Sequence, residues 1–351
     1  MTHNSASRGW RAGLRRTAVT VAATAAAAAG VVATTAPAHA AVTGTVFHGF
    51  ETVTVNQDGH VANINANGSV ESHGPILSRG TSTAGVGIAA NLANGTFQEV
   101  LRASDGSVYT GNNAGFSKLG SQTADANSTP AIAFDSSGQR IIEIAQRGVL
   151  LFFGPNLSGA LDNIAPNTSP SVAPLASPGK FISTWVNSVG TLIWNSDLNN
   201  VHNNSVNGFD VQPGTSPVVS TSGNHWRIEA RDTAGALWVA TDTNPRPTGP
   251  AVAGGVLSSP SITSLSNGSF LDAYAGGAAN DLFVGGGDTG LPVLRGTNPS
   301  IAGNGTGGWR VVYEGTDFLE HTLDSSGRTA TITAVLPNSS ISPQSTGLFT
   351  K

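Results

Sequence analysis

A short polar triplet that usually ends in proline recurs along most of the chain. The copies are Ser128-Thr129-Pro130, Thr168-Ser169-Pro170, Thr215-Ser216-Pro217, Ser258-Ser259-Pro260, Thr297-Asn298-Pro299 and Ile341-Ser342-Pro343, and Ser82-Thr83-Ala84 takes the same place without proline. The third residues of successive triplets are 46, 40, 47, 43, 39 and 44 residues apart. Self-similarity at a period of about 40 residues is typical of a repeat architecture. We call these triplets the anchors.

The sequence between anchors indicates short strands joined by tight turns. An apolar run such as residues 131–133 follows each anchor, and then comes a turn dipeptide such as Asn94-Gly95 or Ser137-Gly138, which supplies the positive φ of a hairpin. An aromatic or aliphatic residue then opens an alternating strand. These opening residues are Phe50, Phe97, Ile141, Phe181, Trp226, Phe270 and Trp309. Three or four short strands per 40-odd residues predict one blade of a β-propeller.

The two ends of the repeat array are complementary. Residues 48–80 have the middle and late strands of a blade without an anchor strand, whereas residues 340–351 have an anchor strand with nothing after it. Pairing the two would remove the exposed sheet edges of an open array. The sequence therefore predicts an all-β, seven-bladed β-propeller closed by pairing of the C-terminal strand with the N-terminal blade. Six blades with an irregular cap, or a β-solenoid, are the alternative architectures.

The first 40 residues are expected to be an export signal. Four arginines precede an uncharged, Ala-rich stretch, and Ala38-His39-Ala40 has the small-residue pattern of a cleavage site. Arg15-Arg16 resembles a twin-arginine signal, and the general secretory route stays open. An uncleaved membrane anchor is the alternative. We expect residues 1–40 to be cleaved, residues 41–351 to form a single secreted, extracellular domain, and the mature chain to have no membrane span.

Composition excludes several functional classes. Without its four signal arginines the chain has 13 Lys and Arg against 21 Asp and Glu, so its net charge near −8 disfavours nucleic acid as a partner. Cysteine is absent, which excludes disulfides and thiolate metal sites. The histidines are scattered and no His-Glu-x-x-His motif occurs, so no metal site and no cofactor are predicted.

The repeat resembles those of known secreted proteins. A Ser-Pro anchor, a small-residue turn, an alternating aromatic strand and a Leu-Trp pair, as at Trp194 and Trp238, are similar to repeats of secreted actinobacterial β-propeller proteins and of tectonin-like and seven-bladed propeller lectins. The resemblance covers nearly the whole mature chain. It implies sugar pockets between adjacent blades, against Trp or Tyr rings. Several copies carry Tyr or Phe in place of Trp, so seven uniform sites are not expected.

The alternating strands supply candidate ligand-binding residues. Glu99, Glu143 and Asp272 are predicted to recur at equivalent positions of middle strands, where neighbouring blades cover both faces. One interpretation makes these acids acceptors for sugar hydroxyls, beside stacking platforms. The candidate platforms are Tyr109, Trp185, Trp194, Trp238 and Tyr274. The other interpretation is structural, with the acids bonded to backbone N–H groups or arginines and the rings packed between blades.

These observations predict a secreted, non-catalytic, lectin-like propeller that binds carbohydrate or a glycoconjugate. A protein-interaction scaffold with a protein partner is the alternative. A polysaccharide-acting glycosidase or lyase is a further one, because propellers host such enzymes and paired carboxylates perform that chemistry. No catalytic residue is assigned, since the acids on strands recur from copy to copy.

Overall fold

The computed structural model describes residues 49–55, 60–64, 70–76, 86–112, 114–155, 158–198, 204–245, 255–305, 307–332 and 344–348. The predicted export signal and the anchors at 82–84 and 341–343 lie outside these ranges. Within the described ranges the regular structure consists of strands, without helices. The prediction of an all-β chain is therefore confirmed.

The described strands form seven antiparallel sheets, numbered here along the chain. Sheet 1 contains β1 (Gly49–Val55), β2 (His60–Ile64) and β3 (Val70–Ile76). Sheet 2 contains β4 (Val86–Asn91), β5 (Thr96–Arg102), β6 (Ser107–Asn112) and β7 (Gly115–Thr123). Sheet 3 contains β8 (Ala131–Phe134), β9 (Arg140–Gln146), β10 (Val149–Phe153) and β11 (Ser158–Asn163). Sheet 4 contains β12 (Ser171–Pro174), β13 (Phe181–Val186), β14 (Thr191–Asn195) and β15 (Asn204–Asp210).

The remaining sheets repeat the pattern. Sheet 5 contains β16 (Val218–Ser222), β17 (His225–Arg231) and β18 (Leu237–Thr241). Sheet 6 contains β19 (Ser261–Ser264), β20 (Phe270–Gly276), β21 (Asp281–Val284) and β22 (Gly287–Pro292). Sheet 7 contains β23 (Ser300–Gly303), β24 (Trp309–Glu314), β25 (Glu320–Asp324) and β26 (Thr329–Ile332). The last strand, β27 (Gln344–Leu348), pairs antiparallel with β1, with Val53 opposite Gln344 and Gly49 opposite Leu348.

Apolar side chains of adjacent sheets fill the space between them. Between sheets 6 and 7, for example, Ala273 and Ala275 pack with Val311 and Tyr313 in one buried cluster. The first strand of each sheet also contacts the first strand of the next, from β4 through β8, β12, β16, β19 and β23 to β27. Burial of apolar surface against a neighbouring sheet, at about 25 cal/mol per Å², stabilises each sheet only when its neighbour is present.

The anchors link successive sheets through one repeated hydrogen bond. The backbone N–H of Thr129 donates to Ser169 Oγ at 2.8 Å, and the N–H of Ser169 donates to Ser216 Oγ at 2.8 Å. The N–H of Ser216 donates to Ser259 Oγ at 3.0 Å, and that of Ser259 to Asn298 Oδ1 at 2.8 Å. The middle residue of an anchor therefore needs a short side chain that carries an acceptor. This explains why Ser, Thr or Asn recurs there.

The strand register corrects one assignment made from the sequence. The fourth residue after each anchor proline pairs with an aromatic residue in sheets 4 to 7, and the pairs are Pro174 with Phe181, Thr221 with Trp226, Ser264 with Phe270, and Gly303 with Trp309. In sheet 3 the corresponding residue, Phe134, pairs with Arg140. The prediction that Ile141 holds this position is wrong. The stretch between the two paired residues varies from four residues, 222–225, to six, 175–180, so spacing from the anchor did not fix the register.

The anchor hydrogen bonds give a test of stability. We expect Ser216→Ala to lower the free energy of unfolding by about 1 kcal/mol, because the Ser169 N–H loses its acceptor. Replacing Ser169, Ser216 and Ser259 together should cost roughly 3 kcal/mol. Urea denaturation measures both effects, with the exposed Ser136→Ala as the matched control. A Ser216→Ala variant as stable as the Ser136→Ala control would contradict this role for the anchors.

Candidate functional site

The candidate acids lie on two different faces of their sheets. Glu99 and Asp272 each follow the aromatic position of their strand by two residues, whereas Glu143 follows Arg140 by three. Because successive side chains of a strand point to opposite faces, Glu143 faces away from the side that Glu99 and Asp272 occupy in their sheets. The prediction that all three are equivalent is wrong for Glu143. The error arises because Ile141, one residue after Arg140, was assigned to the position that Arg140 occupies.

Glu143 lies between sheets 3 and 4. Its carboxyl group is fully buried, and Ser183 Oγ donates a hydrogen bond to Glu143 Oε2 at 2.8 Å. Burial raises the pKa of Glu143 to about 8, and the hydrogen bond from Ser183 only partly opposes that effect. The group is therefore protonated at neutral pH. A neutral acid in this position costs less free energy than a buried carboxylate would.

A second buried acid occupies the same place between sheets 5 and 6. Glu229 is fully buried, and Arg227 Nη2 lies 2.5 Å from Glu229 Oε1 and 4.0 Å from Asp272 Oδ2. Burial and, to a smaller extent, the nearby Asp272 raise the pKa of Glu229 to about 8, against the opposing effect of Arg227. Burial likewise raises the pKa of Asp272. Glu229 was not among the candidates, although its i, i+2 spacing from Arg227 on one strand was a usable signal.

Two of the candidate aromatic platforms lie in the core. Trp185 is 0% exposed and packs with Ala145, Ile164 and Ile193 between sheets 3 and 4. Tyr274 is 1% exposed, and burial together with the neighbouring acids raises its pKa to about 12. Neither ring has an exposed face. Glu99, also a candidate, is equally buried.

The other three candidate platforms are partly exposed. The ring centroid of Trp194 lies 4.8 Å from that of Trp226 on the next sheet. Trp238 Nε1 donates to Asp232 Oδ2 at 2.5 Å. Tyr109 packs at the edge of the cluster between sheets 1 and 2. The structure thus distributes the candidate residues over several gaps and does not bring all of them together.

A cleft opens instead between sheets 2 and 3. Its volume is about 390 Å³, and it is lined by Gln98, Phe134, Gly138, Arg140, Phe153, Gly154 and Pro155. Gln98 comes from β5 of sheet 2, and the other residues come from β8, β9 and β10 of sheet 3 and the turns beside them. Phe134 and Phe153 are both partly exposed. The cleft is thus a concave site between neighbouring sheets with aromatic walls.

Two planar polar side chains meet in this cleft. Arg140 Nη1 donates to Gln98 Oε1 at 2.7 Å, across the gap between the sheets. Partial burial lowers the pKa of Arg140. Among the described residues no carboxylate lies within ion-pair distance of its guanidinium group. A cation and an amide are therefore held together beside apolar surface.

The lining residues Gln98, Phe134, Arg140 and Phe153 were not among the sequence candidates. Phe134 and Phe153 lie at strand ends, where spacing carries no signal for a pocket. Arg140 carried a signal, because it stands where four later sheets have an aromatic residue. That signal was hidden by the assignment of Ile141 to the same place.

Two further features are absent from the described residues. No group of three or more His, Asp or Glu side chains in these ranges is arranged to hold a metal ion. In the same part of the chain, no helix has the length and apolar character that a bilayer crossing requires.

Comparison with solved structures identifies the fold class. The fucose-recognising lectin of Aleuria aurantia, a six-bladed β-propeller, matches with a TM-score of 0.52 and 11% identity over 83% of this chain and 94% of the lectin. AofleA from Arthrobotrys oligospora matches with a TM-score of 0.52 and 9% identity over 77% of this chain and 91% of AofleA. At these identities the likeness concerns the fold alone. The chain has a β-propeller fold.

Comparison at the level of sequence gives no family. No protein-family model matches the chain, and no curated protein matches it.

The buried acids predict a pH-dependent stability. Because Glu143 keeps its proton up to about pH 8 when folded but loses it near pH 4.5 when unfolded, the free energy of unfolding should fall as pH rises between these values. Glu143→Gln should remove up to about 1.4 kcal/mol per pH unit of that slope. Denaturant titrations at pH 5, 6, 7 and 8 measure it. Asp105→Asn is the control, since hydrogen bonds from Ser107 lower the pKa of Asp105 out of this range. An unchanged slope in Glu143→Gln would contradict the assignment.

Proposed function

We propose that the chain is a secreted, non-catalytic, carbohydrate-binding β-propeller. The observation that carries this proposal is the cleft between sheets 2 and 3, hereafter blades 2 and 3. Its walls combine two partly exposed aromatic rings, Phe134 and Phe153, with the hydrogen-bonded pair of Arg140 and Gln98. Small-molecule sites are concave and mostly apolar, with a few placed polar groups.

This combination suits a sugar ring. The C–H groups of a pyranose face can lie against Phe134 and Phe153, while the amide of Gln98 and the guanidinium of Arg140 hydrogen-bond its oxygens. The cleft volume of about 390 Å³ lies at the small end of the range of about 300–1,000 Å³ for ligand pockets, which suits one or two rings. The fucose recognition of the Aleuria aurantia lectin, which has the same fold, supports carbohydrate as the ligand class.

The chemistry of the cleft favours binding over catalysis. A glycosidase needs two carboxyl groups beside the scissile bond, and the described residues that line the cleft include neither Asp nor Glu. The described acids with strongly raised pKa values, Glu143, Glu229 and Glu314, are all buried. A substrate could not reach them without separating the blades.

The partly exposed rings of Tyr109, Trp194 and Trp238 offer further contact surfaces in other gaps. Each such surface would bind a sugar weakly on its own. Several weak sites on one rigid domain gain affinity for a multivalent glycan through avidity.

The proposed ring has seven blades and is closed by β27. Its support is the pairing of β27 with β1, the contact of β27 with both β23 and β4, and the guanidinium carbon of Arg310, which lies 4.9 Å from the ring centroid of Phe50. That last contact joins the seventh sheet to the first. Export through the segment 1–40 is part of the same proposal and rests on its sequence pattern.

A glycan array tests the proposed function. The purified mature chain should bind at least one glycan class, and Phe153→Ala should weaken that binding about tenfold, because the ring loses its contact with the sugar face. Phe318→Ala is the matched control, since Phe318 is an exposed ring outside the cleft lining. Silence across the array would favour a protein-interaction scaffold instead. Release of sugar from a polysaccharide panel would favour the glycosidase alternative.

Engineered cysteines test the closure, because the chain has none of its own. Thr52 lies opposite Ser345 in the antiparallel pair of β1 and β27, which places their Cα atoms about 4.5–5.5 Å apart, within disulfide range. We expect Thr52→Cys combined with Ser345→Cys to form an intramolecular disulfide under mild oxidation, seen as a mobility shift on non-reducing gels and a raised Tm. The two single variants are the controls. Failure to crosslink would contradict the pairing.

A further inference from the structure

Blade 3 differs from blades 4 to 7 at the residue that pairs with the fourth residue after the anchor proline. In blades 4 to 7 that fourth residue pairs with an aromatic residue, which is Phe181, Trp226, Phe270 or Trp309. In blade 3 it pairs with Arg140. An aromatic ring at this place packs against the neighbouring blade, as Trp226 does against Trp194. Replacing it with arginine sacrifices apolar contact between blades. Packing between blades therefore does not explain the arginine at this position.

Two other partly buried arginines, Arg227 and Arg310, contact a group that stabilises their charge. Arg227 lies 2.5 Å from Glu229, and Arg310 lies over the ring of Phe50. Among the described residues, the hydrogen-bond partner of Arg140 is the neutral amide of Gln98. A partly buried cation without an anion is costly, and an anionic ligand would relieve that cost.

We propose that the cleft between blades 2 and 3 binds a saccharide through a carboxylate, so that its ligand is a uronic acid or a glycan that ends in one. This inference rests on the proposed function, since it names the ligand class of the same site. Arg140 forms the ion pair with the carboxylate, and Phe134 and Phe153 hold the ring.

The geometry of the guanidinium group suits a carboxylate. Gln98 accepts from Nη1 alone, and the other N–H groups of Arg140 make no hydrogen bond with the described residues. A guanidinium fork matches the two oxygens of a carboxylate in a bidentate pair. The bond to Gln98 fixes the orientation of the fork before a ligand arrives, which reduces the entropy lost on binding.

The charge of the molecule makes this contact specific. The chain carries a net charge of −4, so its surface as a whole repels anions. Among the described residues that line the cleft, Arg140 is the one charged side chain. Affinity for an anion should therefore come from this side chain, and removal of its charge should abolish that affinity.

Calorimetric titration of the full chain with simple glycosides tests the proposal. The probes are the methyl glycosides of glucuronic and galacturonic acid, the neutral methyl glucoside and galactoside, and acetate. We expect the uronides to bind at least tenfold more tightly than the neutral glycosides, and acetate to bind far more weakly than the uronides. Added salt should weaken the uronides selectively.

Three variants locate the effect. Arg140→Phe introduces the type of residue that blades 4 to 7 carry at this position, so it should fold normally and lose the preference for uronides. Arg140→Lys keeps the charge but lacks the fork, so it should retain only part of the affinity. Lys118→Gln removes a positive charge at an exposed position outside the cleft lining and should leave binding unchanged. A thermal melt of each variant checks the fold.

The outcomes separate this proposal from the proposed function. Equal affinity for neutral glycosides and uronides, unchanged in Arg140→Phe, would overturn the carboxylate preference and leave carbohydrate binding in place. Acetate binding as tight as uronide binding would overturn the saccharide class. No binding of any glycoside, to this chain on the array or in solution, would overturn both.

Discussion

The hydrogen bond between successive anchors is the constraint on which the rest of the structure depends. Each N–H of an anchor's middle residue needs an acceptor, and the side chain of the next anchor supplies it, as Ser216 does for Ser169. The bond fixes the distance between the first strands of two sheets, and the apolar cluster between those sheets then packs at that spacing. No sheet of this kind buries its faces alone, so the stability of each depends on its neighbours.

The buried and partly buried titratable side chains of this structure differ in the partners that surround them. Glu143 is buried beside Ser183 and stays protonated, while Glu229 shares its gap with Arg227 and Asp272. These acids are part of the packing between blades. Arg140 differs because it borders an open cleft, and its hydrogen-bond partner in the described part of the chain is a neutral amide. The degree of burial and the kind of partner thus distinguish a structural acid, such as Glu143, from a cation that is available to a ligand, such as Arg140.

The sequence was sufficient for the strand content and the repeat, because turns and anchors have local signals. Gly95 and Gly138 adopt the positive φ values, 70° and 81°, that their turn dipeptides predict. The strand register was harder to predict, because four to six residues separate the paired residues of the first two strands. Ile141 was therefore assigned to the position that Arg140 occupies. The residues of the candidate site were harder to predict than the register. Trp185 and Trp194 lie in similar apolar strands, yet β13 is buried at every position and β14 is not, so exposure depends on the neighbouring sheets.

Hydrogen–deuterium exchange at the anchor amides is the most direct test of the account, because it observes the anchor N–H groups themselves. If they hold successive blades together, the amides of Thr129, Ser169, Ser216 and Ser259 exchange only through global unfolding, as slowly as the core amide of Ile142. If they instead exchange as fast as the exposed turn residue Leu92, the anchors do not join the blades, and the cleft between blades 2 and 3 loses its structural basis.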